Sequence, residues 1–226
     1  KQIEEFIGKA RKIHESMRSC PLPRHLTWLS FKQSIWKSIE YILSATAFTE
    51  EEAIKLGKEL YRPLLPKLGC NRNFPLLLRY NLPHLLGLGL KDPWFEQGFA
   101  KLSYFVTYGG TDTAEGGLIA SCMEHHQLEV GSFTPLLQLE YKKYSILTTN
   151  TWLTTLWKFI SEYKIEVCNQ AYISPGMIRE KDQSIMDILM RDHNLKDSVL
   201  KSVNRVRCNL KIISLAKITR GDGKQV

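Results

Sequence analysis

No apolar run in this chain approaches the ~20 residues a helix needs to cross a bilayer, and its amino end carries polar, amphipathic periodicity instead of a signal-peptide core. A membrane partner is therefore not expected. Cysteine is sparse: Cys20, Cys70, Cys122, Cys168 and Cys208 are an odd set with no CxxC pair. That pattern excludes a disulfide framework and a paired-cysteine zinc site, and it predicts reduced thiols in an intracellular protein, cytoplasmic or nuclear. The nearest metal-like group, Cys122 with His125 and His126, lacks a second pair to complete tetrahedral coordination. Adjacent helix positions face about 100° apart, so the two histidines are predicted to point at different targets, one exposed and one partly buried. Internal repeats and low-complexity tracts are also missing.

The signatures of catalysis are absent as well. A nucleotidyl-transfer palm needs carboxylates on adjoining strands to hold two metal ions, commonly including an aromatic-x-Asp-Asp turn, and no such turn occurs. Asp222 stands alone in Gly-Asp-Gly, which reads as a tight turn. GGTDTAEGG lacks the GK(S/T) ending of a phosphate loop, and GLGLKD lacks the third glycine of a dinucleotide fingerprint. There is no GxSxG elbow, and no cysteine sits in a nucleophile context beside a histidine. No catalytic residue, metal or cofactor is expected in this chain.

What is present is a basic chain with the apolar content of a folded protein. Of 226 residues, 43% are hydrophobic and 24% charged, enough for one large or two small domains. Thirty-one basic against 23 acidic residues leave +8, which favours a polyanionic partner. Residues 177–226 hold 11 Lys and Arg against 6 Asp and Glu, more than half of that excess. Because the first residue is Lys1, the chain is expected to be a piece of a longer one.

Helical periodicity dominates. Ile3, Phe6, Ile7, Ala10, Ile13 and Met17 form one stripe, and a second helix is predicted over 26–45 with Leu29, Trp36, Ile39, Ile42 and Leu43 buried. Thr49 and Glu52 are a capping-box pair opening a third helix, which Pro63 and Pro66 should disrupt. Asp92-Pro93 starts a fourth helix over 93–107, and Asp112 with Glu115 opens a fifth that Gly131 closes. Residues 132–149 read as a loop containing a short strand, Asn150 or Thr151 caps a sixth helix, and Ile165, Val167 and Ala171 permit another strand. Two last helices are predicted over 180–191 and from Lys196, the second burying Val199, Val203 and Leu210. The fold class is mainly α: a multi-helix bundle with short irregular or β segments, in two packed subdomains over 1–131 and 150–226.

Between the third and fourth helices, residues 65–90 (LPKLGCNRNFPLLLRYNLPHLLGLGL) mix an apolar run with Pro66, Gly69, Pro75, Pro83, Gly87 and Gly89. This is a buried, shaped connection with Asn71, Arg72 and Asn73 at its bend. Together with the following KDPWFEQGFAKL, it resembles the region just after the palm in reverse transcriptases of non-LTR-type retroelements, where a thumb-like helical unit runs into a GLG(L/I)P…EQ element. The resemblance continues in GGTDTAEGGLIASCMEHHQLEVG (109–131), TNTWLTTLWKFI (149–160) and NRVRCNLKIISLAKITRGDG (204–223).

The resemblance implies a noncatalytic thumb-like unit at 1–131 and a connector at 150–226, belonging to an RNA-directed DNA polymerase whose catalytic carboxylates lie upstream. Its partners would be that polymerase domain and an RNA–DNA hybrid or DNA duplex, held through phosphates without base reading. Candidate phosphate contacts are Asn71, Arg72, Asn73 and Arg79 at the junction, and Lys201, Arg205 and Lys211 on a basic face of the last helix. Further basic residues, Lys9, Arg11, Lys12, Arg18 and Arg24, surround the first helix, and Lys67 adjoins the junction. Two alternatives stay open: a structural module docking on other protein domains, and a helix-turn-helix using 180–191 and 196–210. For Arg72 itself a structural role stands beside the phosphate contact: tying the bend to backbone carbonyls.

Overall fold

The computed structural model describes residues 2–19, 21–167, 182–192 and 194–219. It is mainly α-helical, as the periodicity predicts. Among the described residues β structure is represented by an isolated antiparallel bridge between Ser184 and Ser214. The chain forms two compact units, residues 1–102 and 103–226.

In the first unit, α1 (Gln2–Ser19) lies along α4 (Glu50–Lys67). Phe6, Ala10 and Met17 share one buried cluster with Leu56, Leu60 and Leu64. The Phe6 ring meets Phe48 edge-on at 5.3 Å. Tyr61 sits wholly buried among Phe31, Trp36 and Tyr80, and its hydroxyl donates to the Lys91 carbonyl. Burial of that hydroxyl raises its pKa well above the ordinary tyrosine value.

The helix predicted over 26–45 starts at Arg24 and is continuous but not regular: α2 (Arg24–Ser30), a π-helical stretch (Phe31–Ile35) and α3 (Trp36–Leu43). The Trp36 amide bonds the Phe31 carbonyl five residues back. One extra residue in a turn rotates the following helix by about 100° relative to the preceding one. Phe31 thereby shares the buried face with Trp36, Ile39 and Leu43, and Leu29, predicted to be buried, is 51% exposed.

α4 continues through Pro63 and Pro66 to Lys67, against the expected break. An interior proline removes one helical donor and crowds the preceding turn. Here Leu60, Tyr61, Leu64 and Leu65 are nearly inaccessible, and their burial in the core cluster holds the turn in place. The Thr49–Glu52 capping box forms reciprocally, with Thr49 N donating to Glu52 Oε2 at 2.9 Å. Beyond Lys67 the Cys70 amide reaches back to the Leu65 carbonyl at 2.8 Å, a helix-ending loop that needs a left-handed residue at Gly69 (φ +82°). A side chain there would also collide with the Arg24 guanidinium, 2.6 Å from the ideal Cβ position.

The 65–90 connection is not buried throughout, contrary to its apolar composition. It contains α5 (Leu76–Tyr80) and a 3₁₀ turn (Pro83–Leu85), and folds back on itself through Leu88 N to Leu78 O (2.9 Å) and Leu90 N to Arg79 O (3.1 Å). Those backbone bonds use main-chain donors and leave Leu76, Leu77, Leu82, Leu85 and Leu86 exposed. α6 (Pro93–Tyr108) then starts as predicted, with Asp92 Oδ1 accepting from Trp94 N at 2.9 Å.

In the second unit α7 (Ala114–Val130) is capped by Thr113, one residue after the predicted Asp112, because the Thr113 hydroxyl accepts from Gly116 N. Gly131 closes it at φ +66°. Residues 132–149 contain no strand: a 3₁₀ turn (Leu136–Gln138), α8 (Tyr141–Tyr144) and a second 3₁₀ turn (Ser145–Leu147) bury Leu136, Leu137, Tyr144 and Leu147. The segment is tied to α7 by Gln127, whose amide donates to the Ser132 and Thr134 carbonyls and accepts from Leu136 N. α9 (Trp152–Tyr163) is capped by Thr151, and its Trp157 indole donates to the Leu139 carbonyl at 2.8 Å. Residues 165–167 are not a strand either, since Ile165 N closes α9 on the Ile160 carbonyl; Ala171 lies outside the described residues. α10 (Ile185–Leu189) is shorter than predicted, and α11 (Asp197–Asn209) follows. The Gly-Asp-Gly turn at Asp222 also lies outside the described residues.

α11 buries a different face from the one its aliphatic residues suggest. Leu200, Asn204 and Arg207 point inward, while Val199, Val206 and Leu210 are exposed. The Arg207 Nη2 donates to the Leu128 and Glu129 carbonyls at 2.6 and 2.7 Å, which are the last-turn acceptors of α7. Asn204 Oδ1 accepts from Arg207 Nε and Nη2, holding the guanidinium in that seat. A cation on the carbonyl end of a helix satisfies both open acceptors and the helix dipole, which is why polar residues win the inward face here.

Candidate functional site

Lys58 and Arg62 stand one helical turn apart on the exposed side of α4, opposite Leu56, Leu60 and Leu64. The turn after α4 is shaped by Asn71, whose Oδ1 accepts from Asn73 N at 2.9 Å and whose carbonyl accepts from Phe74 N at 3.0 Å. Arg72 stands exposed at the bend. Together these residues line a cavity of about 1230 Å³. Its cations are Lys58, Arg62, Arg72 and Arg79; its apolar wall is Ile54, Phe74, Pro75, Leu76 and Leu77, with Tyr80 beside them. Asn71, Asn73 and Asn81 add amides, and Asp92 is its one acidic side chain.

A second, smaller cavity of about 520 Å³ is lined by Arg18, Arg62, Pro63, Pro66, Lys67 and Arg72. Arg62 and Arg72 border both, so the two hollows form one basic surface. The basic residues around the first helix and those at the junction, separate in the sequence, meet there through Arg18, Lys67 and Arg72. Among the described residues Lys58, Arg62 and Arg72 have no carboxylate within salt-bridge distance.

Arg79 plays a different part from Arg72. It is buried, and its Nη2 donates to the Phe74 carbonyl at 3.0 Å, bracing the bend from beneath. Neighbouring Tyr80 has its hydroxyl pKa pushed up to about 12 by burial and by the nearby Asp92. Burial also raises the pKa of the Asp92 carboxyl, against the lowering effect of the backbone amides of Trp94 and Phe95.

The remaining candidates belong to the second unit. Lys201 and Arg205 are exposed one turn apart on α11, and Lys211 lies past its end at φ +52°, so it does not share their helical face. Lys58 and Arg62 are missing from the sequence-derived set. Their i, i+4 spacing opposite a buried leucine stripe is the available signal, obscured by ending the helix near Pro63.

His125 is exposed and His126 buried, the split expected of adjacent helix positions, although both rings reach one carboxylate, Glu129. His126 is buried, with Nδ1 2.6 Å from Glu129 Oε2 and Nε2 2.8 Å from Thr151 Oγ1; exposed His125 reaches Glu129 Oε1 at 3.6 Å. Helix side chains lean toward the preceding turn, so a flexible Glu one turn later meets both rings. Ligand atoms of the trio lie within 4.8 Å of one another, a loose grouping of donors. Both nitrogens of His126, however, already have protein partners. Comparison with protein-family models, curated proteins and solved structures gives no match to this chain.

Proposed function

We propose that this chain is a noncatalytic part of a retroelement reverse transcriptase, and that the basic surface of its first unit holds nucleic acid by the phosphate backbone. The observation that carries this reading is the convergence of Arg18, Lys58, Arg62, Lys67 and Arg72 on two adjoining cavities. Arginine forks and lysine ammonium groups on an exposed surface suit phosphate oxygens, and backbone contact needs no row of base-reading side chains. The ordered resemblance of residues 65–102, 109–131, 149–160 and 204–223 to the region beyond a polymerase palm supplies the parent. The upstream polymerase domain would perform the transfer while this surface steadies primer and template.

Fluorescence anisotropy with a labelled RNA–DNA hybrid and with unrelated duplexes tests the reading. Five phosphate contacts at about 0.9 in log–log slope each lower affinity roughly 500-fold over a fourfold rise in salt, with little dependence on sequence. No binding at low salt would contradict it. The exposed Leu76, Leu77, Leu82, Leu85 and Leu86 favour a second reading, a module that docks on other protein domains. The helix-turn-helix alternative finds less support: α10 has five residues, and α11 opens on Lys196 and Asp197.

A further inference from the structure

The larger cavity has a wall that phosphate binding does not use. Its lining is predominantly apolar, with Phe74, Pro75, Leu76 and Leu77 following one another along the bend and the start of α5. Leu77 is 80% exposed and Leu76 57%, so their side chains reach solvent at the edge of the hollow and do not serve the core. Lys58, Arg62 and Arg72 stand around this wall. At about 1230 Å³ the space exceeds the ~300–1,000 Å³ of typical small-molecule sites, which suits a length of polymer better than a metabolite.

The chemistry of the wall distinguishes between forms of nucleic acid. A duplex keeps its bases stacked inside and presents sugars and phosphates, which gain nothing from leucine and phenylalanine. An unpaired strand brings the same phosphates together with base faces that are apolar and unstacked, and binds best where cations border aromatic or apolar platforms. The side chains of Asn71 and Asn73 line the same hollow, adding polar groups at its bend.

We propose that this cavity takes an unpaired stretch of nucleic acid, its phosphates on Lys58, Arg62 and Arg72 and its bases against Phe74, Leu76 and Leu77. The proposal rests on the backbone-binding reading above and narrows it: the groove prefers single strand, or a single-stranded overhang, to a blunt duplex.

The test uses the full chain and three labelled probes: an unstructured uridine oligomer, a blunt RNA–DNA hybrid and the same hybrid with a uridine overhang. Binding is measured for the wild type and for the double substitution Leu76→Ser with Leu77→Ser, whose exposed positions leave the core intact. We expect the oligomer and the overhang hybrid to bind at least fivefold more tightly than the blunt hybrid. In the double variant that preference should vanish while blunt-hybrid affinity stays the same. Equal affinity for the three probes, or a loss in the variant that is the same for all of them, overturns the single-strand inference and leaves backbone binding standing. Failure of the wild type to bind any probe at low salt overturns the underlying reading, and this inference with it.

Discussion

Arg62 and Arg72 border the same two cavities of the first unit, although the end of α4 lies between them in the chain. The helix-ending loop at Gly69 and the Asn71 turn reverse the backbone and bring the second arginine round to the first. Two guanidinium groups on one surface repel each other, a penalty softened by solvent at exposed positions and relieved when a polyanion binds. Such an arrangement suits a binding surface better than a stabilising one.

The lysines of this surface give a chemical readout. Lys58 and Lys67 should be protected from amine acetylation when a nucleic acid is added, whereas exposed Lys32 and Lys55, which line neither cavity, should stay reactive. Mass spectrometry of the labelled chain measures this. Equal protection at all four would point to a nonspecific coat and contradict a defined groove.

In the second unit, Arg207→Met should destabilise by about 3 kcal/mol, because it leaves the Leu128 and Glu129 carbonyls without their charged donor. Urea unfolding measures the loss, and affinity for nucleic acid in the folded variant should be unchanged. A loss under ~0.5 kcal/mol would show that solvent replaces the guanidinium and that the inward face of α11 has been misjudged.

Lys101 is wholly buried, and its pKa is pushed down to about 7 by desolvation. Below that pH both folded and unfolded chains carry the proton. Between about 7 and the ordinary lysine value near ~10.4, the unfolded chain holds the proton and the folded one does not, so stability contributed at this site rises with pH over that window. Lys101→Met removes the titration. The stability difference between variant and wild type should therefore shift in favour of the wild type from pH 7 to pH 10, read as urea midpoints, and a constant difference would contradict the buried, neutral lysine.

Local chemistry was the legible part of the fold. The Thr49–Glu52 box, the Asp92 cap, the Thr151 cap and the Gly131 stop are short-range signals, each satisfied by atoms within a few residues. The phase of the helix through Phe31 was not legible, because a π turn is selected by what Phe31 and Trp36 pack against. For the same reason Pro63 and Pro66 misled: the buried Leu64 and Leu65 keep a helix that local propensity would end. On α11 the aliphatic count pointed to one face, and the acceptors at the end of α7, far off in sequence, chose another through Arg207.

The candidate site was half visible. Asn71, Arg72 and Asn73 announce themselves as polar residues at a bend within an apolar run, and the structure places all three on one cavity. Arg18, Lys58 and Arg62 could be joined to them only by the packing of α1 on α4 and by the return of the chain after Gly69.

The most direct test of the account is the salt dependence of nucleic-acid binding in the double variant Arg62→Ala with Arg72→Ala. Both side chains are exposed, so the fold should persist, which circular dichroism checks alongside. Binding to every sequence should weaken, and the log–log salt slope should fall by about two, one for each lost phosphate contact. A slope and affinity equal to those of the wild type would show that these arginines touch no phosphate and would contradict the basic groove as the binding surface.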